Sequence, residues 1–169
     1  MSKINLKNVR LSYPCLFRKG TFEGQENSKY TATLVLSKND PDHVKSKKLI
    51  DAELQRIYSE SKTTRASFKE DKFCVKEGGD DFPDSWLVKV SNKKRPLLID
   101  SDKSALTEED NKLYAGCYVN ASIDLFYWDK QYGKFVLSNL YGVQFSKDGD
   151  SFESGSIGNL DDFDDLGDD

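Results

Sequence analysis

The chain is poor in the residues that chemistry most often needs: among 169 residues there are one histidine, three cysteines, two tryptophans and four prolines. The lone His43 falls in the first turn of a predicted helix, where an exposed cap-region role is expected rather than catalysis. Cys15, Cys74 and Cys117 are odd in number, widely spaced and form no CxxC pair. That pattern speaks against a disulfide framework and against a zinc site, and predicts reduced, mostly buried thiols. No run approaches the roughly 20 apolar residues of a membrane span, and the start, MSKINLKNVRLSYP, lacks the apolar segment of a signal peptide. A cytoplasmic protein with no membrane partner is the expectation. Asn120-Ala121-Ser122 matches a glycosylation sequon by chance on this reading.

Phosphate-cradling and nucleophile motifs are missing as well: there is no Walker pattern, no GxGxxG, no GxSxG and no EF-hand spacing. Asp100, Asp102 and Asp124 are scattered carboxylates of the kind a metal-dependent nuclease uses, but their spacing does not single them out. The chain is therefore read as a non-enzyme with no cofactor and no metal.

What is present becomes informative once charge is divided along the chain. Nine of the 29 acidic residues lie in residues 148–169, which hold no Lys or Arg, so residues 1–147 set 25 basic against 20 acidic side chains. A net charge of −4 thus conceals a body of +5. Sign asymmetry of this kind points to a nucleic-acid partner or an interaction tail. The end, SKDGDSFESGSIGNLDDFDDLGDD, has too few apolar residues to offset chain entropy and is expected to be disordered. One domain with an appendage follows: a folded body, residues 1–147, and a disordered acidic tail, residues 148–169.

Within the body, Ile4 to Tyr13 alternates as a strand whose register slips near Asn8, as a bulge would cause. KYTATLVLS places Tyr30, Ala32, Leu34 and Leu36 on one face. Asp40-Pro41 opens a predicted helix over Pro41 to Ser61, with Ile50, Leu54, Ile57 and Tyr58 on its apolar stripe. Pro14 to Ser28 reads as a loop, and Lys62 to Pro83 as an irregular excursion with a short strand near Phe73 to Val75. Two short strands, SWLVKVSN and Leu97 to Ile99, flank a basic connector. YAGCYVNASIDLFYW then sets Val119, Ala121, Ile123 and Leu125 against Tyr118, Asn120, Asp124, Phe126 and Trp128, and returns through KFVLSNLYGVQF as a hairpin. At least five strands of uneven length, one amphipathic helix and a closing hairpin make a mainly β fold that suits a small, closed or partly closed barrel.

Binding to a single nucleic-acid strand asks for aromatics on a basic surface, because phosphate neutralisation and base stacking both tolerate variation in position. Candidate contacts are Arg10, Tyr13, Phe17, Arg18, Lys19, Lys29 and Tyr30 near the first loop, and Trp86, Lys89, Lys93, Lys94 and Arg95 around the connector. Tyr118, Phe126, Trp128, Tyr132 and Lys134 complete the set on the hairpin. In the tail, Asp161, Asp162, Phe163, Asp164, Asp165 and Leu166 make an acidic segment with apolar anchors, suited to docking on a basic partner or on the body's own groove.

KYTATLVLSKNDPD, RPLLIDSD, LYAGCYVNASIDLFYW and LYGVQFSKDGDSF, in this order, resemble a family of phage single-stranded DNA-binding proteins with an OB-fold. The pattern comprises Lys29-Tyr30, Arg95-Pro96, Tyr114 with Gly116-Cys117-Tyr118, and Gly142-Val143-Gln144 before Asp148-Gly149. The resemblance implies a five-stranded OB-fold barrel and sequence-independent binding of single-stranded DNA in phage replication, recombination or repair, within the host cytoplasm. Weaker binding of duplex DNA or RNA is left open. The tail is expected to contact replication or recombination proteins, although Phe163 stands six residues from the end, where the family pattern places it near the terminus. A homo-oligomer is left open, as are the rival readings of a metal-dependent nuclease and of a structural or chaperone-like phage protein.

Overall fold

The slip at Asn8 is a real feature of the backbone. In the computed structural model, which describes residues 3–17, 21–22, 25–26, 29–68, 73–130 and 133–152, Asn8 adopts φ +55, a left-handed conformation that Asn tolerates better than most residues. The elements in chain order are β1 (Ile4–Cys15), β2 (Thr21–Phe22), β3 (Gln25–Glu26), β4 (Tyr30–Ser37), α1 (Pro41–Ser61), β5 (Val75–Glu77), β6 (Ser85–Asn92), β7 (Leu97–Ile99), β8 (Tyr118–Lys130) and β9 (Gly133–Lys147). The pairing of β1 with β8 shifts register between Leu6 and Val9, so the inward residues Ile4, Leu6, Val9 and Leu11 stay buried across the bulge.

Seven strands form one sheet in the order β5-β6-β4-β1-β8-β9-β7, and a parallel pairing of β6 with β9, the strands next to its two ends, at Ser91 and Asn139 closes it. The closed ring is therefore five strands, β6, β4, β1, β8 and β9, as expected. The three-residue β5 and β7 extend it by pairing with β6 and β9. The second edge of β9 is shared: the Cys74 amide donates to the Val136 carbonyl at 2.9 Å, Ser91 pairs with Asn139, and β7 pairs with residues 142–144. Covering this edge removes a template for aggregation.

Helix α1 begins where Asp40 caps it, its Oδ1 accepting the Asp42 amide at 2.9 Å with Pro41 in the first turn. It ends at Lys62, which is left-handed at φ +54. Its buried side chains are His43, Ser46, Ile50, Leu54 and Ile57. Burying each of the three aliphatic ones stabilises the fold by roughly 1.5–3 kcal/mol.

Three sequence expectations need correction. His43 is 1% exposed, not an exposed cap residue. Its Nδ1 accepts the Ser37 amide at 2.8 Å and its Nε2 faces the Asn8 carbonyl, so the ring ties the end of β4 to the bulge of β1. The segment read as a loop from Pro14 to Ser28 includes the β2–β3 pairing, too short to show a period. The strand expected from Tyr114 starts at Tyr118, because Gly116 turns the chain at φ +113.

Candidate nucleic-acid interface

Strand alternation sends Phe126 and Trp128 to the outer face of β8, opposite Ile123 and Leu125. Their rings meet edge-on, with centroids 6.4 Å apart at 68°, and Trp128 is 45% exposed. Beside them, the turn after β6 is pinned by Asn92, whose Oδ1 accepts the Lys94 amide at 3.1 Å while its Nδ2 donates to the Leu140 carbonyl at 3.0 Å. This turn presents Lys93 and Lys94. Together with Lys29, Ser91, Leu137 and Asn139 these residues line a recess of about 400 Å³.

A second recess, of about 410 Å³, adjoins the first through Ser91 and Leu137, which line both. Its walls include Tyr13, Lys76, Lys89, Phe73, Cys74 and Ser138. Tyr13 sits where the pairing of β1 with β4 shifts register, at φ +46, and is 66% exposed. A left-handed aromatic residue is uncommon, and bulges often serve to aim a side chain. The two recesses, which share Ser91 and Leu137 and are together termed the groove, hold five lysines, three aromatic rings on their surface and no carboxylate among their lining residues. Burial pushes the Cys74 thiol up to about 12, so it remains a neutral part of the wall.

Of the sequence-predicted contacts, Tyr13, Lys29, Lys89, Lys93, Lys94, Phe126 and Trp128 come together in this groove. Others are placed elsewhere. Trp86 shares the inward parity of Val88 and Val90, so its ring packs on the core beneath Lys47 and Lys38, with ammonium groups 4.9 and 5.5 Å from its centre, away from Lys89. Phe17 packs against the core under the Arg95 guanidinium, 5.1 Å from the ring centre. Tyr30 is half-buried opposite Asn92, and Lys134 stands opposite Asp129 in the hairpin.

Arg10 and Tyr118 form a separate cluster with residues 148–152. The Arg10 guanidinium donates to the Gly116 carbonyl at 3.0 and 3.1 Å and to the Asp150 carbonyl, and lies between the rings of Phe152 and Tyr118, 4.2 and 5.3 Å from their centres. Arg18, Lys19, Tyr132 and the tail residues Asp161, Asp162, Phe163, Asp164, Asp165 and Leu166 lie outside the described residues. Sequence reasoning missed Lys76, Phe73 and Ser138. The available signal for Ser138 is a polar residue on the inward parity of VLSNL, between Val136 and Leu140.

The carboxylates weighed as a metal site are each engaged locally. Asp100 receives the Lys112 ammonium at 2.6 Å, which holds the Asp100 carboxyl below its usual range. Asp102 accepts the Ser104 hydroxyl at 2.6 Å. Asp124, buried on β8, accepts the Tyr141 hydroxyl at 2.6 Å and the Asn139 amide at 3.3 Å.

With this geometry in view, residues 2–169 match the family model described as the ssDNA-binding protein of Enterobacter phage Enc34. The chain belongs to that family. A putative protein, p50, of Acyrthosiphon pisum secondary endosymbiont phage 1 is 35% identical to it, over 97% of this chain and 94% of that protein. The solved structure of the Enc34 single-stranded DNA-binding protein in complex with ssDNA is 28% identical, covers 89% of each chain and superposes with a TM-score of 0.74. The bacteriophage T7 single-stranded DNA-binding protein gp2.5, at 13% identity and a TM-score of 0.59, shares the fold over 95% of this chain and 92% of its own.

In this member of the Enc34 family, several motif residues prove architectural. A side chain on Gly116 would meet the Asp150 carbonyl oxygen at 2.1 Å, and one on Gly149 would meet the Gly116 carbonyl oxygen at 2.3 Å. The Tyr114 hydroxyl sits 3.0 Å from both Asp148 Oδ1 and the Gly149 carbonyl. Two motifs separated in sequence are thus halves of one backbone contact.

Proposed function

We propose that this protein binds single-stranded DNA without sequence preference, as a non-enzymatic coating protein of phage replication, recombination or repair in the host cytoplasm. The observation that carries this reading is the pair of neighbouring recesses with five lysines, Tyr13, Phe126 and Trp128, and no carboxylate among their lining residues. Lys29, Lys76, Lys89, Lys93 and Lys94 neutralise phosphates, while the rings stack bases, each worth about 1–3 kcal/mol. The ssDNA complex of the Enc34 protein supports the ligand class. The body, residues 1–147, carries DNA binding. Of the tail, residues 148–169, the first five are docked on the body, and the acidic segment with Phe163 and Leu166 recruits replication or recombination proteins or competes with DNA for the groove.

The test uses the placement of the two tryptophans. In a Trp86→Phe variant, oligo-dT is expected to quench Trp128 saturably. Log affinity should fall with log salt by about 0.7 for each phosphate neutralised, and Lys93→Ala should reduce that slope by about the same amount. The oligonucleotide should be recovered intact. Salt-independent quenching, undiminished affinity in Trp128→Ala, or strand cleavage would each overturn the reading.

A further inference from the structure

Ser138 is only 4% exposed, and its Oγ is the one buried side-chain polar atom without a hydrogen-bond partner among the described residues. A buried hydroxyl left unpaired is costly, and natural structures keep few of them. Its residue borders the recess beneath Tyr13, whose volume of about 410 Å³ falls within the usual range of small-molecule sites, about 300–1,000 Å³. Phe73, Val90 and Leu137 give the recess apolar surface, and Lys76 and Lys89 also line it. Both Tyr13 and Ser138 therefore depart from what stability alone favours, one in its backbone conformation and the other in its unpaired hydroxyl. Unfavourable local features that the surrounding fold maintains are concentrated at functional sites.

We propose that this recess is a base pocket: one nucleobase of the bound strand leaves the stack and enters beneath the Tyr13 ring, and Ser138, whose Oγ is closed to solvent in the free protein, turns that hydroxyl to the edge of the base. The inference rests on the groove reading above and adds to it a discrete position where the base, rather than the phosphate, is held. A hydroxyl both donates and accepts, so it can meet a carbonyl or an amino edge, and the pocket is compatible with binding that tolerates any sequence. The apolar walls suit the faces of a base, and the flanking lysines suit the phosphates on either side.

The experiment compares the full-length protein and its Ser138→Ala variant on two ligands of equal length, oligo-dT and an oligomer of abasic tetrahydrofuran nucleotides. Loss of one such hydrogen bond is expected to weaken oligo-dT binding roughly fivefold to tenfold, with the salt slope unchanged. The abasic strand should bind both proteins equally. Thermal unfolding of Ser138→Ala should occur at the same temperature or higher, since the substitution removes an unpaired buried group. Tyr13→Ala should likewise lose affinity for oligo-dT and not for the abasic strand.

Equal affinity of Ser138→Ala and the unaltered protein for oligo-dT overturns the pocket, as does an equal loss on the abasic strand. If the unaltered protein binds oligo-dT with the expected salt slope in either of those cases, the groove stands and only the pocket falls. If it binds neither ligand, both fall.

Discussion

Replacing Gly116 with alanine tests the backbone contact between the start of β8 and residues 148–152. Two costs are separable. The first is conformational: at φ +113 a side chain strains the backbone by about 1–3 kcal/mol. The second is steric, because the added Cβ would sit 2.1 Å from the Asp150 carbonyl oxygen and 2.8 Å from the Ser151 Cα, both belonging to the backbone. Relief requires residues 148–152 to lift away. That sacrifices the Arg10–Asp150, Tyr114–Gly149 and Phe152–Ala115 hydrogen bonds, at about 0.5–1.5 kcal/mol each, and recovers part of this as chain entropy. The total is on the order of 2–4 kcal/mol, or roughly 5–15 °C in Tm for a domain of this size.

Two other glycines isolate the contributions. Gly79 has φ +64 and nothing within 4 Å of an added Cβ, so Gly79→Ala carries strain alone. Gly142 would place its Cβ 3.5 Å from the Leu97 carbonyl oxygen, an ordinary contact, so Gly142→Ala should be nearly neutral. Thermal unfolding followed by circular dichroism ranks the three, and limited proteolysis at residues 148–152 reports whether the segment has lifted. A Gly116→Ala variant no less stable than Gly79→Ala, with that segment still protected, refutes the reasoning.

Other measurements test the structure independently. Cys74 and Cys117 are buried, which pushes their thiols up to about 12 and about 11, so a thiol reagent at neutral pH should label half-buried Cys15 first and reach the other two only as the protein unfolds. Tyr141→Phe removes a donor from the buried Asp124 carboxylate and should cost about 1–3 kcal/mol, with denaturant titration as the check. In the unaltered protein the Asp124 hydrogen bond and burial hold the Tyr141 phenol above its usual value. Its ionisation, followed by ultraviolet absorbance, should therefore come later with rising pH than that of a free tyrosine. Arg10→Lys keeps the charge but loses the guanidinium's fork on the Gly116 carbonyl and should lower Tm.

The strands of the ring were legible because their inward positions alternate with little interruption, while their closure into a barrel was legible only through the family resemblance; the span of α1 was legible because Asp40-Pro41 opens an aliphatic stripe at helical spacing. The candidate site was only partly so. Period two correctly sent Phe126 and Trp128 outward, and the same rule applied to Trp86 beside Val88 and Val90 would have sent it inward. Proximity in sequence to Lys89 and Lys93 was the misleading cue. Lys76 and Phe73 reach the groove through the crossing from the excursion back to β6, a long-range placement that no local period encodes. His43 was misjudged for a similar reason: its partners, Ser37 and Asn8, meet only after β1, β4 and α1 pack together.

The ring is closed by its weakest joint. Strands β8 and β9 pair along thirteen positions, whereas β6 and β9 meet at the single pair Ser91 and Asn139, reinforced by the Asn92 side chain on the Leu140 carbonyl. Pairing between such distant segments forms late and opens early, so amide exchange should be faster at this joint than along the hairpin. Ser91 and Leu137 lie on its two sides and line both recesses. If a DNA strand lies in the proposed groove it spans the gap between them, and tighter binding to the joined state than to the open one holds shut the joint with the fewest strand pairs.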